Sequence, residues 1–454
     1  MRQDFRKQQV IVVGAGSTGL ALCRYFRQRG AGVVLSDARS QDQIAGLAEL
    51  AAAGVCFDCG QHNQELFLQA DLVVLSPGVP GTIAAVVAAR QAGIPVLGEI
   101  EMAWRELTAP LIAITGTNGK STTTSVLGEI FQRWGKRAFV GGNLGLPLIE
   151  ATGREDWDWV IAELSSFQLE TIEGFRPRYA LLLNITEDHL DRYPDMVSYI
   201  AAKARIFENL QPEDVAILNA EDPLVAGLAP RIGARQVWFS SARLLPQGMG
   251  YEQGQLVWRW QGREERFAAS ELRLRGLHNV ENVMAALIPA LLEGCPAELA
   301  WSAACAFAGL DHRMVAVRQL DGVWWYNDSK GTNVGSVVKS LAGLAAPVTL
   351  IAGGKDKGGD YAPLAELVRE RVAHLLLIGE AAGRIAAALG NLTDTRFATS
   401  LQEAVALAHR LTPAGGAVLL SPGCSSYDMF KNYGERGDVF TRAVLALPEK
   451  ESCR

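Results

Sequence analysis

The chain lacks the marks of several protein classes. Its seven cysteines are scattered over 454 residues and do not form the dense framework of a small secreted domain. It has no long basic block, and its net charge is −6, which argues against a nucleic-acid-binding surface. The most apolar long stretch, 283–310, is interrupted by prolines, glycines and glutamates, so we expect two packed helices there and no membrane insertion.

Two further features are absent from the sequence: a signal peptide and a complete set of zinc ligands. The charged N-terminus runs straight into a strand-like segment at 10–13, without the apolar region and cleavage site of a signal peptide. Cys56 and Cys59 have the spacing of zinc ligands, but no second pair accompanies them, and two reduced thiols near a strand end are the preferred interpretation. These observations predict a cytoplasmic protein.

What is present begins with a phosphate loop. Residues 115–121, Thr-Gly-Thr-Asn-Gly-Lys-Ser, follow the apolar run 111–114 and lead into a helix. This pattern aims backbone N–H groups and a helix N-terminus at an anion, while Lys120 supplies a charge and Ser121 or Thr122 a hydroxyl for Mg²⁺. Ile114 stands where the usual motif has its first glycine, and a chance Gly-Lys-Ser is the alternative. Phosphate binding is the better interpretation.

A second glycine-rich loop follows the first predicted strand. Gly14, Gly16 and Gly19 open a helix, and Asp37 ends the next strand, which satisfies the dinucleotide fingerprint. Taken alone, the loop predicts an NAD-dependent enzyme. However, the fingerprint specifies only a diphosphate beside a ribose, which a UDP-sugar also provides, and a turn that only packs a helix on its sheet is a third possibility. The turn at 76–80 lies at the same predicted edge.

The alternation of short β-branched runs with helix-length segments predicts a three-domain α/β protein with parallel sheets. We place the domains at 1–108, 109–310 and 311–454, with a small antiparallel insertion at about 237–274 and no internal repeat. Strands are predicted at 10–13, 33–35, 72–75, 95–97, 111–114, 159–162, 179–183, 215–218, 323–326, 348–351, 375–378 and 417–420.

Two polar groups of residues follow predicted strands of the second block. Glu163 ends one strand, where a P-loop domain needs a Mg²⁺ ligand, and the segment 184–191 ends the next with His189 among acids. On spacing alone, each is only slightly more favoured as functional than as a solvated loop.

Six motifs in register resemble those of the Mur ligases of peptidoglycan synthesis, and especially the members that add D-glutamate. They are residues 115–121, 163–168, 184–191, 312–313, 327–333 and 421–428. The resemblance runs over essentially the whole chain. It implies a Rossmann-like UDP-binding domain, a central P-loop-type ATPase domain and a Rossmann-like C-terminal domain.

The resemblance also implies the reaction and its participants. The expected activity is an ATP-dependent amide ligation through an acyl phosphate, in which D-glutamate is added to UDP-N-acetylmuramoyl-L-alanine. The expected cofactors are ATP, two Mg²⁺ ions and a CO₂-derived carbamate on Lys203, and the expected form is a monomer. Sequence context alone would make Lys203 a surface cation on a helix; its match to the family's carbamylated lysine reverses that interpretation.

The site residues are carried over position by position from the resemblance. The catalytic residues are Lys120, Lys203, His189 and Lys330, and the metal ligands are Ser121, Glu163, His189 and Lys203. The ATP-binding residues are Gly116, Thr117, Asn118, Gly119, Lys120, Ser121, Thr122, Asn279, Asn282, Arg313 and Asp328. The UDP-sugar-binding residues are Gly16, Ser17, Thr18, Asp37, Arg39, Gly78 and Asn143. The D-glutamate-binding residues are Thr332, Lys357, Ser426, Tyr427 and Tyr433.

Two departures and several alternatives remain open. Tyr433 stands where the family usually has Phe, and Ala38 stands where a hydroxyl residue would help to hold the uridine. For Asn282, a polar helix start that caps its own backbone is the alternative. For the whole chain, the alternatives are a sibling ligase for another amino acid, a folylpolyglutamate synthase, an NAD-dependent oxidoreductase and a catalytically silent nucleotide-binding protein.

Overall fold

The computed structural model describes residues 4–449, which divide into two compact units. The first unit extends to Asn184 and includes Ile200–Leu272 and Asn279–Phe307. The second contains Ile185–Tyr199, Arg273–His278 and the chain from Ala308 onward. The first unit holds two sheets and the second holds one.

The N-terminal sheet has five parallel strands in the order β3-β2-β1-β4-β5. Its strands are β1 (Gln9–Val13), β2 (Gly32–Asp37), β3 (Cys56–Cys59), β4 (Leu72–Leu75) and β5 (Val96–Gly98). Its helices are α1 (Ser17–Gln28), α2 (Leu47–Ala52), α3 (Gln64–Leu68), α4 (Ala84–Gln91) and α5 (Glu99–Glu106). The inner strand β4 is apolar throughout, and β1 is apolar after its exposed first residue, Gln9, because helices cover both faces of a parallel sheet.

The central sheet has nine strands in the order β14-β13-β12-β11-β10-β9-β6-β8-β7. The strands are β6 (Leu111–Thr115), β7 (Ala138–Gly142), β8 (Trp159–Glu163), β9 (Tyr179–Leu182), β10 (Val215–Asn219), β11 (Arg235–Phe239), β12 (Gly248–Glu252), β13 (Gln255–Trp260) and β14 (Arg263–Ala268). The helices are α6 (Lys120–Arg133), α7 (Ser166–Leu169), α8 (Met196–Ala204), α9 (Pro223–Ala226), α10 (Leu277–Leu292) and α11 (Ala297–Ala306). The last three strands pair antiparallel, as predicted, but they extend the edge of the parallel sheet.

The third sheet has six strands in the order β15-β16-β20-β17-β18-β19, and only β15 and β16 pair antiparallel. The strands are β15 (Val315–Leu320), β16 (Val323–Asn327), β17 (Val348–Gly353), β18 (Val372–Ile378), β19 (Asp394–Phe397) and β20 (Ala417–Leu420). The helices are α12 (Val334–Ala342), α13 (Ala365–Arg371), α14 (Ala382–Leu389), α15 (Leu401–Leu411) and α16 (Tyr433–Leu445). Two hydrophobic clusters pack around this sheet.

The apolar stretch near 283–310 forms two helices, α10 and α11, as predicted, and Pro289 lies inside α10. Among residues 4–449, no helix combines the length and the apolar character that crossing a bilayer requires.

Candidate active site

The loop between β6 and α6 has the geometry of a preset anion-binding loop. Gly119 precedes α6 with a φ of 88°, and a Cβ there would lie 2.1 Å from Oδ1 of Asn282, so only glycine fits. Asn184 fixes the loop from the neighbouring strand end. Its carbonyl oxygen accepts from the N–H of Thr117 at 2.9 Å, and its side-chain amide exchanges hydrogen bonds with the backbone of Asn118 at 2.8 and 3.0 Å.

Two lysines converge on this loop. The Nζ atoms of Lys120 and Lys203 each donate to the carbonyl oxygen of Gly116 at 2.9 Å, and Lys120 also donates to the carbonyl of Thr117 at 2.8 Å. Lys203 is only 2 % exposed, so the interpretation from local sequence context, a surface cation, is wrong. The hydroxyl residues of the first helical turn, Ser121 and Thr122, are also buried.

A buried carboxylate lies at the end of the adjacent strand. Glu163 ends β8, pairs in register with Ile114 of β6 and is 2 % exposed. Its Oε1 accepts from Nδ2 of Asn143 at 2.6 Å, whereas its Oε2 is buried and has no hydrogen-bond partner among residues 4–449. An unsatisfied buried carboxylate oxygen beside a phosphate loop suits a cation. Among residues 4–449, no three His, Cys, Asp or Glu side chains group as metal ligands.

The predicted nucleotide residues of α10 lie beside the loop. Asn282 is 4 % exposed and approaches Gly119, and its Nδ2 donates to Oδ1 of Asn279 at 3.3 Å. Because α10 begins at Leu277, Asn282 is an interior helical residue and not a capping residue. The structure therefore brings Asn279 and Asn282 to the phosphate loop.

The N-terminal glycine loop leaves a helix N-terminus open. Gly16 and Ser17 are exposed at the start of α1, and Thr18 is half-buried in its first turn. Gly78 follows β4 with a φ of 88°, in the turn beside this loop. Gly19 is required for packing, because a Cβ there would lie 1.8 Å from the carbonyl oxygen of Gly14. Diphosphate binding at this edge remains a prediction.

Asp37, the predicted ribose ligand, is already engaged. Its carboxylate accepts from the N–H of Ala15 at 2.6 Å and from the Arg39 guanidinium at 2.9 Å. Hydrogen bonding to Arg39 outweighs the effect of burial and holds the pKa of Asp37 at about 2. Arg39 is half-exposed beside it, so this ion pair marks the end of β2 as a polar, charged surface.

The second unit contains a compact ionic cluster that sequence inspection missed. Asp188 is 8 % exposed; its Oδ1 accepts from Nζ of Lys357 at 3.1 Å and its Oδ2 from Nδ2 of Asn333 at 2.9 Å. Burial alone would raise the pKa of Asp188, but the charges of Lys357 and His189 and these hydrogen bonds hold it at about 2. His189 follows with a φ of 58°, and its Nε2 lies 3.7 Å from Oδ2 of Asp188. The cluster lines a pocket.

The remaining predicted D-glutamate residues lie in the same unit. Nζ of Lys330 donates to the hydroxyl of Tyr433 at 2.9 Å and lies 4.3 Å from the centre of its ring. Thr332 follows two residues later, and its N–H donates to the carbonyl of Lys330. Ser426 is 3 % exposed, whereas the Tyr427 side chain is 70 % exposed. The hydroxyl of Tyr433, which a phenylalanine would lack, therefore has a defined partner.

Asp328, predicted to contact ATP, is buried, and two serine hydroxyls donate hydrogen bonds to its carboxylate. Its Oδ2 accepts from Oγ of Ser340 at 2.7 Å and from Oγ of Ser421 at 2.8 Å. Burial raises the pKa of Asp328, although the charge of Arg313 acts in the opposite direction. The structure thus places Arg313 and Asp328 near each other, with Asp328 joining the two motifs that begin at 327 and 421.

Arg436 is a second residue that the sequence analysis missed. It is 1 % exposed, and its guanidinium donates to Oγ and the carbonyl oxygen of Ser329 and to the carbonyls of Cys424 and Ser425. Burial lowers the pKa of Arg436 to about 10. This side chain fixes the loops that carry Lys330 and Ser426. No local sequence pattern predicts this role, because the hydrogen-bond partners of Arg436 belong to loops that are separate from it in the sequence.

The chain is similar to known proteins over nearly its whole length. Three family models match in order: the Mur ligase MurD-like N-terminal domain over residues 8–98, the Mur ligase middle domain over 114–290 and the Mur ligase glutamate ligase domain over 312–424. The chain is also 62 % identical to the UDP-N-acetylmuramoylalanine–D-glutamate ligase of Syntrophotalea carbinolica, over 98 % of this chain and 99 % of that one. The chain belongs to the Mur ligase family.

Further relatives agree with this assignment. The enzyme of the same name from Geotalea uraniireducens is 56 % identical to this Mur ligase, over 98 % of this chain and 99 % of that one. Among solved structures, the pseudomurein peptide ligase type C of Methanothermus fervidus aligns with a TM-score of 0.60 at 16 % identity, covering 92 % of this chain and 97 % of that one. A UDP-N-acetylmuramate–alanine ligase of Thermotoga maritima aligns with a TM-score of 0.58 at 19 % identity, covering 96 % of this chain and 98 % of that one. These two likenesses confirm the fold.

Proposed function

We propose that this Mur ligase joins D-glutamate to UDP-N-acetylmuramoyl-L-alanine in an ATP-dependent reaction. The relatives that share half or more of its residues carry the name of that activity. The structural observation that carries the proposal is the convergence of Lys120 and Lys203 on the carbonyl of Gly116, next to the unpaired oxygen of Glu163. We assign the nucleotide-sugar, ATP and amino-acid sites to residues 1–108, 109–310 and 311–454.

The reaction proceeds in two displacements. A carboxylate oxygen of the alanyl group attacks the γ-phosphorus of ATP, the bond to the bridging β,γ-oxygen breaks, and ADP leaves. The amine of D-glutamate then attacks the acyl carbon, the carbon–oxygen bond to phosphate breaks, and inorganic phosphate leaves as the amine loses a proton. The first attack brings together like charges, which at about 4 Å repel by roughly 4 kcal/mol per pair at an effective dielectric constant near 20.

The residues of the first unit are suited to offset that repulsion. Lys120 and the N-terminus of α6 present positive charge at the loop, and water is excluded from the buried hydroxyls of Ser121 and Thr122. Mg²⁺ would be held by Ser121 and by the unpaired oxygen of Glu163, and when bound it neutralises phosphate charge. The assignment of His189 as a further ligand follows from the family resemblance alone.

Lys203 has the surroundings that a carbamate requires. Burial disfavours a charged ammonium, and the neutral amine is the form that reacts with CO₂. Carbamylation would turn a cation at the phosphate loop into an oxygen ligand. It would thereby add a carboxylate-like metal ligand to the oxygens of Ser121 and Glu163.

The ionic cluster of the second unit fits a dicarboxylate amino acid. Lys357 and Lys330 provide cations, Thr332 and Ser426 provide hydroxyls, and the pocket beside Asp188 is lined by Lys357 and Asn333. Asp188 also offers an acceptor for the amine of the incoming amino acid. We therefore place D-glutamate in this cluster.

The test is phosphate release from ATP with UDP-N-acetylmuramoyl-L-alanine and one of three acceptors: D-glutamate, L-glutamate or meso-diaminopimelate. The proposal predicts release only when the UDP-sugar and D-glutamate are present together. Release with meso-diaminopimelate instead would assign the chain to a sibling activity. No release with any of the three acceptors would contradict the proposal.

A further inference from the structure

A hydrogen-bonded trio of side chains lies at the carboxyl ends of β2 and β3, and none of the three is among the residues assigned to a substrate above. Ser36 is fully buried, and its Oγ lies 2.8 Å from Oδ2 of Asp58 and 2.8 Å from Nδ1 of His62. The same carboxylate oxygen accepts from the N–H of Asn63 at 3.0 Å. The imidazole of His62 packs edge-on against the ring of Phe67, with centroids 6.1 Å apart.

Proton accounting fixes the state of the imidazole. A serine hydroxyl has one proton, and a carboxylate oxygen can only accept, so Ser36 donates to Asp58. Nδ1 of His62 must then carry the proton that it shares with Ser36. In the neutral ring Nε2 is therefore an acceptor, and no residue from 4 to 449 hydrogen-bonds to it.

The strand order places this acceptor beside the nucleotide-binding edge. In a doubly wound sheet the diphosphate lies at the end of β1 and the ribose at the end of β2. β3 pairs with β2 on the side away from β1, so the loop after β3, which contains His62, follows the strand next to the predicted ribose site. The N–H of Gly60 donates to the carbonyls of Asp37 and Arg39 at 3.0 and 2.9 Å, which holds this loop against the predicted ribose site.

We propose that His62 recognises the uracil ring, with Nε2 accepting a hydrogen bond from the ring N3–H, and that Ser36 and Asp58 are positioning residues that hold its tautomer. The inference rests on the proposed UDP-sugar site and adds base recognition to it. Cytosine lacks the N3–H and presents a lone pair there, so the same imidazole disfavours a cytidine nucleotide. Ala38, which follows Asp37, contributes no side-chain hydrogen bond to a base.

The experiment measures the dissociation constants of UDP and CDP by calorimetry at pH 8 for the full-length chain and four variants. His62→Phe keeps the contact with Phe67 but removes the acceptor, and we expect the preference for UDP over CDP to fall about tenfold. Ser36→Ala should show a smaller loss. His62→Gln, whose amide oxygen can accept, should recover part of it. Gln64→Ala, at an exposed position of α3, is the matched control and should equal the wild type.

The ratio of the dissociation constants of UDP and CDP distinguishes base recognition by His62 from a purely structural role. A variant that only loosens the loop would weaken the binding of both nucleotides equally. An unchanged ratio in His62→Phe, with UDP still bound, would overturn this inference and leave the proposed function standing. Failure of the wild-type chain to bind UDP would overturn both.

Discussion

At the scale of single residues, Lys203 is the side chain whose surroundings differ most from its local sequence context. We expect Lys203→Ala to lose ligase activity on the order of 100-fold or more, because the proposed carbamate ligand of the metal is removed. The fold should persist, since Lys120 still donates to the carbonyl of Gly116. Phosphate release and thermal unfolding measure the two effects.

The control for this prediction is Lys136→Ala, which changes a lysine that lies over the ring of Trp134. It should retain full activity. Carbon-13 NMR with labelled bicarbonate should show a lysine carbamate signal in the wild type and none in Lys203→Ala, and added bicarbonate should not restore the variant. Full activity in Lys203→Ala would remove the carbamate from the mechanism.

Tyr433 gives a second prediction at this scale. Its hydroxyl accepts from Lys330, so its own proton is available to a substrate carboxylate. Tyr433→Phe should raise the KM for D-glutamate about five- to tenfold, the equivalent of one hydrogen bond of about 1 to 1.4 kcal/mol, with a smaller change in kcat. Tyr427→Phe, at the 70 % exposed side chain, is the control. A KM equal to that of wild type in Tyr433→Phe would refute this role.

The residues that the sequence analysis missed share one property. Asp188 pairs with Lys357 across 169 positions, and Arg436 binds carbonyl oxygens of loops that only the folded sheet brings together. Motif spacing predicts residues whose partners are close in sequence or are the ligand itself. It does not predict a side chain whose function depends on which loops meet.

At the scale of elements, short buried strands were predictable, including the edge strand β5, whereas two exposed edge strands were not. Strand β4 was predicted at its observed bounds, and so was β20, because both are short, continuous apolar runs. The edge strands β3 and β19 are partly exposed and polar, so they carry no such signal. The antiparallel strands were predicted from their alternation of polar and apolar residues. That they extend the central sheet was not predicted.

Helix α5 carries a prediction of its own. Glu99, its first residue, is 2 % exposed; one oxygen accepts from the N–H of Ile149 at 2.7 Å, and the other has no hydrogen-bond partner in the described part of the chain. Burial raises the pKa of Glu99 to about 7, despite the opposing hydrogen bonds from Ile149 and Leu148. A raised carboxyl pKa means that the folded state retains a proton which the unfolded state has lost. Stability should therefore fall as the pH rises from about 4.5 to 7.

Glu99→Gln removes this titration. Relative to the wild type, its free energy of unfolding should increase by about 3 kcal/mol between pH 4 and pH 9, the value of a shift of this size. Urea unfolding at the two pH values measures the change. Glu370→Gln, at an exposed position of α13, should show no such difference. A constant offset between Glu99→Gln and the wild type would mean that Glu99 ionises normally in the fold.

At the scale of the whole molecule, the chain carries a net charge of −6 although each proposed substrate is an anion. Cations are therefore concentrated locally: Lys120 and Lys203 at the phosphate loop of the first unit, and Lys330 and Lys357 in the second. Lys120 was predictable from its motif, because it is contiguous with the glycine loop, whereas Lys203 was assigned from the family resemblance alone. The hydrogen-bond partners of these lysines were not predictable from the sequence.

The central claim is that ATP activates the alanyl carboxylate as an acyl phosphate. The direct test uses UDP-N-acetylmuramoyl-L-alanine with oxygen-18 in that carboxylate, together with ATP and D-glutamate, and measures the mass of the released phosphate. Our account predicts one oxygen-18 atom in each phosphate, since the attacking oxygen leaves with phosphorus when the amide forms. Phosphate without the label, released alongside the ligated product, would contradict the account.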